Sequence, residues 1–360
     1  MVGSELQENP IIFKHCYFSI FMEFKPHTAV WEYTLACDSK CIHCGSNALN
    51  SRKNELTTEE SLDLVSQLAN LDFKLVVLSG GEPTLRKDWP IIGREIQKQG
   101  MQFGIISNAL AWGTGTIETL AEINPYSIGF SVDGEEETHD YLRGIEGSHK
   151  KVFDSIRDLK KKRQTICAIT TVNKKNISEM KKIRERLYVF GVDAWQIQTA
   201  SPMGRMKHQK DLVINDNEHH ALAEFVSETR EMISWMNVAA ADCIGYYGAL
   251  EERLRDSEWN GCGAGISGIG ISSNGDIMGC LSLQAKNLVE GNIRKKALQQ
   301  IWDNPVGFAY NRNFKAEDLR GECFGCEHGE KCRGGCQSQS FAHFGELHNA
   351  PLCNFRYEKK

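Results

Sequence analysis

Between Ala29 and about Thr199 short apolar runs alternate with amphipathic ones, and no other feature of the sequence restricts its fold as strongly. The runs at 29–35, 73–79, 102–107, 127–132, 166–172 and 194–199 predict buried strands, most of them closed by Gly, Ser, Asn or Asp. Helical patterns fill 57–69, 89–99, 116–122, 149–162 and 177–190, and the first opens on a capping box, Thr57 with Glu60 three residues on. Strands joined by helices of this size make an α/β fold with a parallel sheet and right-handed crossovers, either curved into a barrel or left open. After Thr199 a loop (200–205) leads to a helix predicted over 218–236. Its apolar stripe, Leu222, Phe225, Val226, Met232, Ile233 and Met236, has the regular period of core packing. From Ala239 onward glycine, cysteine and turn residues dominate. The expected division is an N-terminal extension (1–28), an α/β unit (29–238) and a small cysteine-rich unit (239–360), for which 360 residues suffice.

The first predicted strand runs into Cys37-Asp38-Ser39-Lys40-Cys41-Ile42-His43-Cys44, a C-x3-C-x2-C spacing. Three thiolates on one tight loop can each take a different iron of a [4Fe-4S] cube, and no fourth cysteine lies nearby for the last iron. A zinc site would need a fourth ligand, and His43, set between two cysteines, would point away from an ion that both bind. Disulfides fit less well. Thirteen cysteines is an odd number, and Met1 to Pro10 has neither the basic nor the apolar region of a signal peptide. A reducing, cytoplasmic compartment is expected, where clustered thiols imply metal.

This triad, with a ring residue before its third cysteine, resembles the radical S-adenosylmethionine (SAM) superfamily. The resemblance implies a partial (β/α)6 TIM-like barrel with the cluster loop after the first strand, at the face where barrel active sites gather. It implies SAM chelating the open iron. It also carries SAM contacts onto Gly80, Gly81, Glu82 and Pro83, which match a GGEP motif, and onto Ser107, Asn108, Ser131, Asp133 and Gln198 at later strand ends. Arg143, in Asp140-Tyr141-Leu142-Arg143-Gly144, resembles an arginine that faces the SAM carboxylate; on its own it would read as a surface partner of Glu146 or Asp140.

A second cysteine system follows. Cys262, Gly275 and Cys280, with a β-hairpin predicted around Asn274-Gly275, precede Cys323-x2-Cys326-x5-Cys332-x3-Cys336 and then Cys353. Order and spacing resemble the SPASM extension of radical SAM proteins, which implies two auxiliary [4Fe-4S] clusters. By that resemblance Cys323, Cys326, Cys332 and Cys353 hold the outer one, and Cys262, Cys280 and Cys336 the inner one. Cys243 is the candidate fourth inner ligand; without it an open iron could bind substrate. Cys16 and Cys167 remain, both read as packing residues, with a hydrogen-atom donor role for Cys167 as the alternative. Tyr246, Tyr247, Trp195 and Asp242 are candidates for the cavity lining, and no catalytic acid or base stands out.

The resemblance implies an enzyme in which a flavodoxin or ferredoxin reduces the first cluster and a 5′-deoxyadenosyl radical attacks an unactivated carbon. The leading expectation is a maturase acting on a ribosomally made peptide or protein by crosslinking, epimerisation or dehydrogenation, with a separate precursor-recognition protein as a possible partner. The alternatives are a small-molecule or tetrapyrrole-modifying dehydrogenase, and a non-catalytic metal-bound peptide carrier. A net charge of -5 calls for no nucleic acid, the basic run 160–163 reads as a solvated helix face, and no apolar stretch is long enough for a membrane span.

Overall fold

The protein, represented by a computed structural model, is described over residues 24–360. Cys16 and nearly all of the expected N-terminal extension lie outside them. The strands are β1 (Thr28–Thr34), β2 (Leu75–Gly80), β3 (Gln102–Ser107), β4 (Ser127–Ser131), β5 (Ile166–Val172), β6 (Ala194–Thr199), β7 (Asn237–Ala240), β8 (Gly268–Ile271), β9 (Asp276–Met278) and β10 (Val289–Asn292). Helices α1 (Thr58–Asn70), α2 (Trp89–Lys98), α3 (Thr114–Ile123), α4 (Glu136–Arg143), α5 (Ser148–Lys161), α6 (Met180–Val189) and α7 (Asp216–Met232) link the first seven strands. The capping box predicted at Thr57 and Glu60 is formed.

One sheet holds all ten strands, in the order β10-β9-β8-β1-β2-β3-β4-β5-β6-β7. The six predicted strands are its middle and pair in parallel, making the partial barrel. The ladder continues beyond them on both sides. On one side β7 adds in parallel to β6, and the expected boundary after residue 238 falls inside it. On the other, β8 pairs in parallel with β1 and then turns through the predicted Asn274-Gly275 hairpin into β9 and β10.

Alternation along the strands sorts the side chains. Trp195 is fully buried, donates its indole N–H to Thr170 Oγ1 (2.8 Å) and meets Phe225 of α7 edge-on, so Trp195 and Thr170 face the helices. Trp195 is therefore core, and not part of a cavity lining as its sequence position suggested. By the same period Cys167, Ile169 and Thr171 of β5 and Gln196 and Gln198 of β6 face the concave side. Two glycines keep that side open: a Cβ on Gly129 would press on Ile106 and Ile169, and one on Gly104 would touch Val77 and Ser127. Among the described residues no helix is long and apolar enough to cross a membrane.

Candidate active site

The cysteine loop leaves β1 and is closed at its neck by two backbone bonds, Leu49 N–H to Leu35 O (3.1 Å) and Cys37 N–H to Leu49 O (3.2 Å). The Gly80-Gly81-Glu82 turn after β2 lies directly on this neck. Gly81 N–H donates to Thr34 O and Glu82 N–H to Ala36 O, both at 2.8 Å, and a Cβ on Gly81 would overlap the Ala36 carbonyl. Glycine is needed here because two backbones approach with no room for a side chain.

Two further segments grip the loop from opposite sides. The end of α4 accepts Ile42 N–H on Leu142 O (2.9 Å) and the Ser39 hydroxyl on Arg143 O (2.9 Å). The loop after β6 supplies Arg205, whose backbone N–H donates to Cys44 O (2.9 Å) and whose guanidinium donates to Cys41 O (2.7 Å) and Ala48 O (2.8 Å). The preceding Gly204 has φ +54°, and a Cβ there would collide with the carbonyls of Cys44 and Gly45. Sequence reasoning missed this clasp; Gly204-Arg205 read only as loop chemistry.

Donors point at the sulfurs inside this grip. Cys41 Sγ lies 3.0 Å from Ser39 Oγ and 3.6 Å from Arg143 Nη1, and Cys37 Sγ accepts Ser39 N–H (3.5 Å) and the Asn108 amide (3.7 Å). Such donors suit thiolates bound to a cluster, whose potential responds to hydrogen bonds at sulfur. Burial first, with negative neighbours adding to it against the Ser39 N–H bond, pushes the Cys37 thiol up to about 12, a cost that cationic iron at the sulfur would reverse. His43 Nε2 bonds Asp133 Oδ2 (3.1 Å), while its buried Nδ1 has no hydrogen-bond partner.

Several residues expected to contact SAM are also bonded within the protein. Glu82 is fully buried, and its carboxylate accepts Ser107 Oγ (2.9 Å), Asn108 N–H (2.8 Å) and Thr84 N–H (3.1 Å); desolvation outweighs these bonds and raises its pKa. Glu82 and Ser107 thus order the end of β3 as a closed pair. Pro83, also buried, starts a 3-10 turn. Asp133 is fully buried as well and bonds Arg143, His43 and Thr171 N–H (2.8 Å). Burial works against its charge, yet Arg143 first and His43 second hold it well below the carboxylate range. Arg143 accordingly pairs inward, with neither Glu146 nor Asp140, and keeps Nε without a partner. Asn108 reaches Asp38 (2.7 Å), Gln198 reaches Thr171 Oγ1 (3.0 Å), and Ser131 stands half-buried at the end of β4. Cys167 is held by its neighbour's carbonyl, with its thiol raised by burial to about 11.

In the second cysteine system Cys323, Cys326, Cys332 and Cys353 line one cavity of about 340 Å³, with Tyr247 and Phe355 in its wall. Four thiols on one cavity match in number the ligands of a four-iron cube. Ala350 N–H donates to Cys323 Sγ (3.3 Å), and Gly335 N–H is directed at Cys332, whose thiol burial pushes up to about 12. Gly334 and Gly335 both have positive φ and make a tight turn between Cys332 and Cys336. Burial likewise pushes Cys262 up to about 12, with Asp242 and Cys280 adding negative charge beside it. Cys336 is raised by burial first and by Cys262 and Cys243 next, which puts Cys243 beside the inner set, although its sulfur also accepts Thr199 N–H (3.2 Å). Tyr246 stands between the two sets: its hydroxyl accepts Cys336 N–H (2.8 Å), and its carbonyl faces Cys353 Sγ (3.8 Å).

Comparison with known proteins agrees with this geometry. Residues 31–187 match the model of the radical SAM superfamily, and residues 262–327 match that of an iron-sulfur cluster-binding domain, SPASM. The chain is 28% identical to the AdoMet-dependent heme synthase of Methanosarcina barkeri, over 95% of this chain and 100% of that protein. It is 26% identical to the mycofactocin maturase MftC of Mycolicibacterium smegmatis, over 88% and 79%. Among solved structures, Streptococcus suis SuiB bound to its precursor peptide SuiA has the same fold, with a TM-score of 0.70 at 18% identity over 88% of this chain and 72% of that one.

Two variants test the site. Gly81→Ala forces the turn off the neck of the cysteine loop, so anaerobically reconstituted protein should lose about a third of its iron, one cluster of three, and stay soluble; full iron content would show that the contact is dispensable. Asp133→Asn leaves Arg143 buried without its counter-charge, and stability to denaturant should fall by about 3–5 kcal/mol. An unchanged transition midpoint would show that the pair is neutral.

Proposed function

Because the chain belongs to the radical SAM superfamily and carries a SPASM iron-sulfur domain, we propose that it oxidises a carboxylate-bearing tetrapyrrole, converting a propionate arm to a vinyl group. The observation that carries this reading is the end-to-end alignment with a heme synthase. It spans the whole of that relative, so the barrel and the cysteine-rich domain are shared together and not the barrel alone. The sequence by itself favoured peptide maturation. That is the second reading, supported by the mycofactocin maturase alignment across both domains.

SAM and [4Fe-4S] clusters are the cofactors of this family. Cys37, Cys41 and Cys44 would hold the cluster that binds SAM, and together, on one-electron reduction, these supply a 5′-deoxyadenosyl radical that abstracts a hydrogen atom. The protein's own residues set the conditions. Ser39 and Arg143 direct donors at Cys41 sulfur, the Gly80-Gly81 turn fixes the loop's neck, and Leu142 and Arg205 hold it from either side. Loss of one hydrogen atom from the arm, of carbon dioxide and of one electron leaves the vinyl group. The electron needs an acceptor, and a cluster held by the cysteines of the second domain would be one. A flavodoxin or ferredoxin would deliver the initiating electron.

The test is anaerobic incubation of reconstituted protein with dithionite, SAM and iron-coproporphyrin III. The expected outcome is 5′-deoxyadenosine together with a porphyrin that has lost carbon dioxide and two hydrogens per arm. An unchanged porphyrin mass, alongside a peptide encoded near this protein that loses two hydrogens, would replace the first reading with the second.

A further inference from the structure

A second cavity, of about 500 Å³, opens beside the cysteine loop, and its volume is in the range of small-molecule sites. Its walls come from four segments. Gly45 follows Cys44; Ser282 lies two residues beyond Cys280; Phe341 belongs to the helix Gln337–Phe344, whose N-cap is Cys336. The fourth wall is the loop after β6, with Met203, Lys207 and His208. The cavity is thus bounded by chain neighbours of both the radical-cluster cysteines and the inner auxiliary cysteines, where a molecule served by both must sit.

Its chemistry is one-sided. None of the described residues lining it is acidic, and Lys207 has no ion-pair partner among the described residues. Ser282 and Gln284 add neutral donors, while Met203 and Phe341 give an apolar floor. The basic pair is also held in place. Met206, fully buried, anchors the 3-10 turn Met206–His208 from which both side chains project into solvent, and the Gly204-Arg205 clasp ties that turn to the cysteine loop. A cation on a fixed turn above an apolar floor suits an anion attached to a flat hydrophobic body.

We propose that this cavity receives the carboxylate arms of the substrate, with Lys207 and His208 as specificity-determining residues that select carboxylate and aim the arm at the cysteine loop. The assignment rests on the tetrapyrrole reading above. Neither residue touches a cysteine ligand, so both can be changed with the metal sites left intact.

The experiment is an anaerobic absorbance titration of reconstituted protein with iron-coproporphyrin III and, in parallel, with its tetramethyl ester. Wild-type protein should bind the free acid about tenfold or more tightly than the ester, since a charge-assisted contact is lost. Lys207→Glu should weaken acid binding by a similar factor, at unchanged iron content, and leave ester binding alone; Lys207→Gln and His208→Gln should fall between. Raising salt should weaken the acid and not the ester. Equal affinity for acid and ester, or an unaltered titration in Lys207→Glu, overturns the carboxylate site even if the porphyrin is converted. Wild-type protein that binds neither porphyrin but an acidic peptide, sensitively to Lys207→Glu, overturns both the tetrapyrrole assignment and the reading beneath it.

Discussion

The buried carboxylate of Asp133 ties together more of the site than any other single group. It sits after β4 with no exposure and reaches the cysteine loop through His43, the end of α4 through Arg143 and β5 through the Thr171 amide. A charge so placed is tolerable only because cation and donors surround it, and removal of one partner would strand the rest. Arg143 in turn directs a donor at Cys41 sulfur. The loop that carries three cysteines therefore takes its shape from an ion pair behind it as well as from its own sequence. Glu82 does the same at the neighbouring strand end, binding Ser107, Asn108 and Thr84.

Much of this was legible in the sequence, and what was hidden has a physical pattern. Strands β3, β5 and β6 occupy the predicted residues, because apolar side chains recur at their buried positions and turn residues bound them. Helix α4 was missed since Glu136–Arg143 is short and mostly polar, with few apolar positions to show a period. The addition of β8 to β1 was missed for another reason. Strand pairing across more than two hundred residues leaves no mark in either segment, and Gly268–Ile271 read only as half of a hairpin. The cysteine sets were legible because metal chemistry fixes their spacing. The polar residues at strand ends were legible as important but not in their direction. Glu82 and Asp133 have the types and positions of ligand contacts, yet only the fold reveals that both turn inward and saturate.

Tyr246 illustrates how the two auxiliary sites are coupled in space. It adopts φ +74°, an uncommon conformation for a bulky residue, and is followed by Tyr247 at φ +57°. The strain has a use. It lets the Tyr246 hydroxyl meet Cys336 N–H while the same residue's carbonyl faces Cys353, and lets Tyr247 stack on His328 at the wall of the outer cavity. Gly335 must be glycine in the same place, since a Cβ would press into the Tyr246 ring. One aromatic residue thus separates the two cysteine sets and fixes the gap between them.

The continuity of the sheet settles a further question of design. β1 ends in the cysteine loop, pairs with β2 on one edge and with β8 on the other, and β8 leads through β9 straight to Cys280. Gly270 in β8 is packed so closely on Leu281 that a Cβ would strike its amide. The loop of Cys37, Cys41 and Cys44 and the loop of Cys280 are therefore two outgrowths of one hydrogen-bonded ladder, and the distance between them is set by backbone and not by a hinge. A cavity with Gly45 on one side and Ser282 on the other inherits that rigidity. Its remaining freedom lies in side chains on the loop after β6 and on the Gln337–Phe344 helix, which can change without disturbing the ladder. Relatives that align with this chain over most of its length carry names from both heme synthesis and mycofactocin maturation, so the shared scaffold does not by itself fix the substrate.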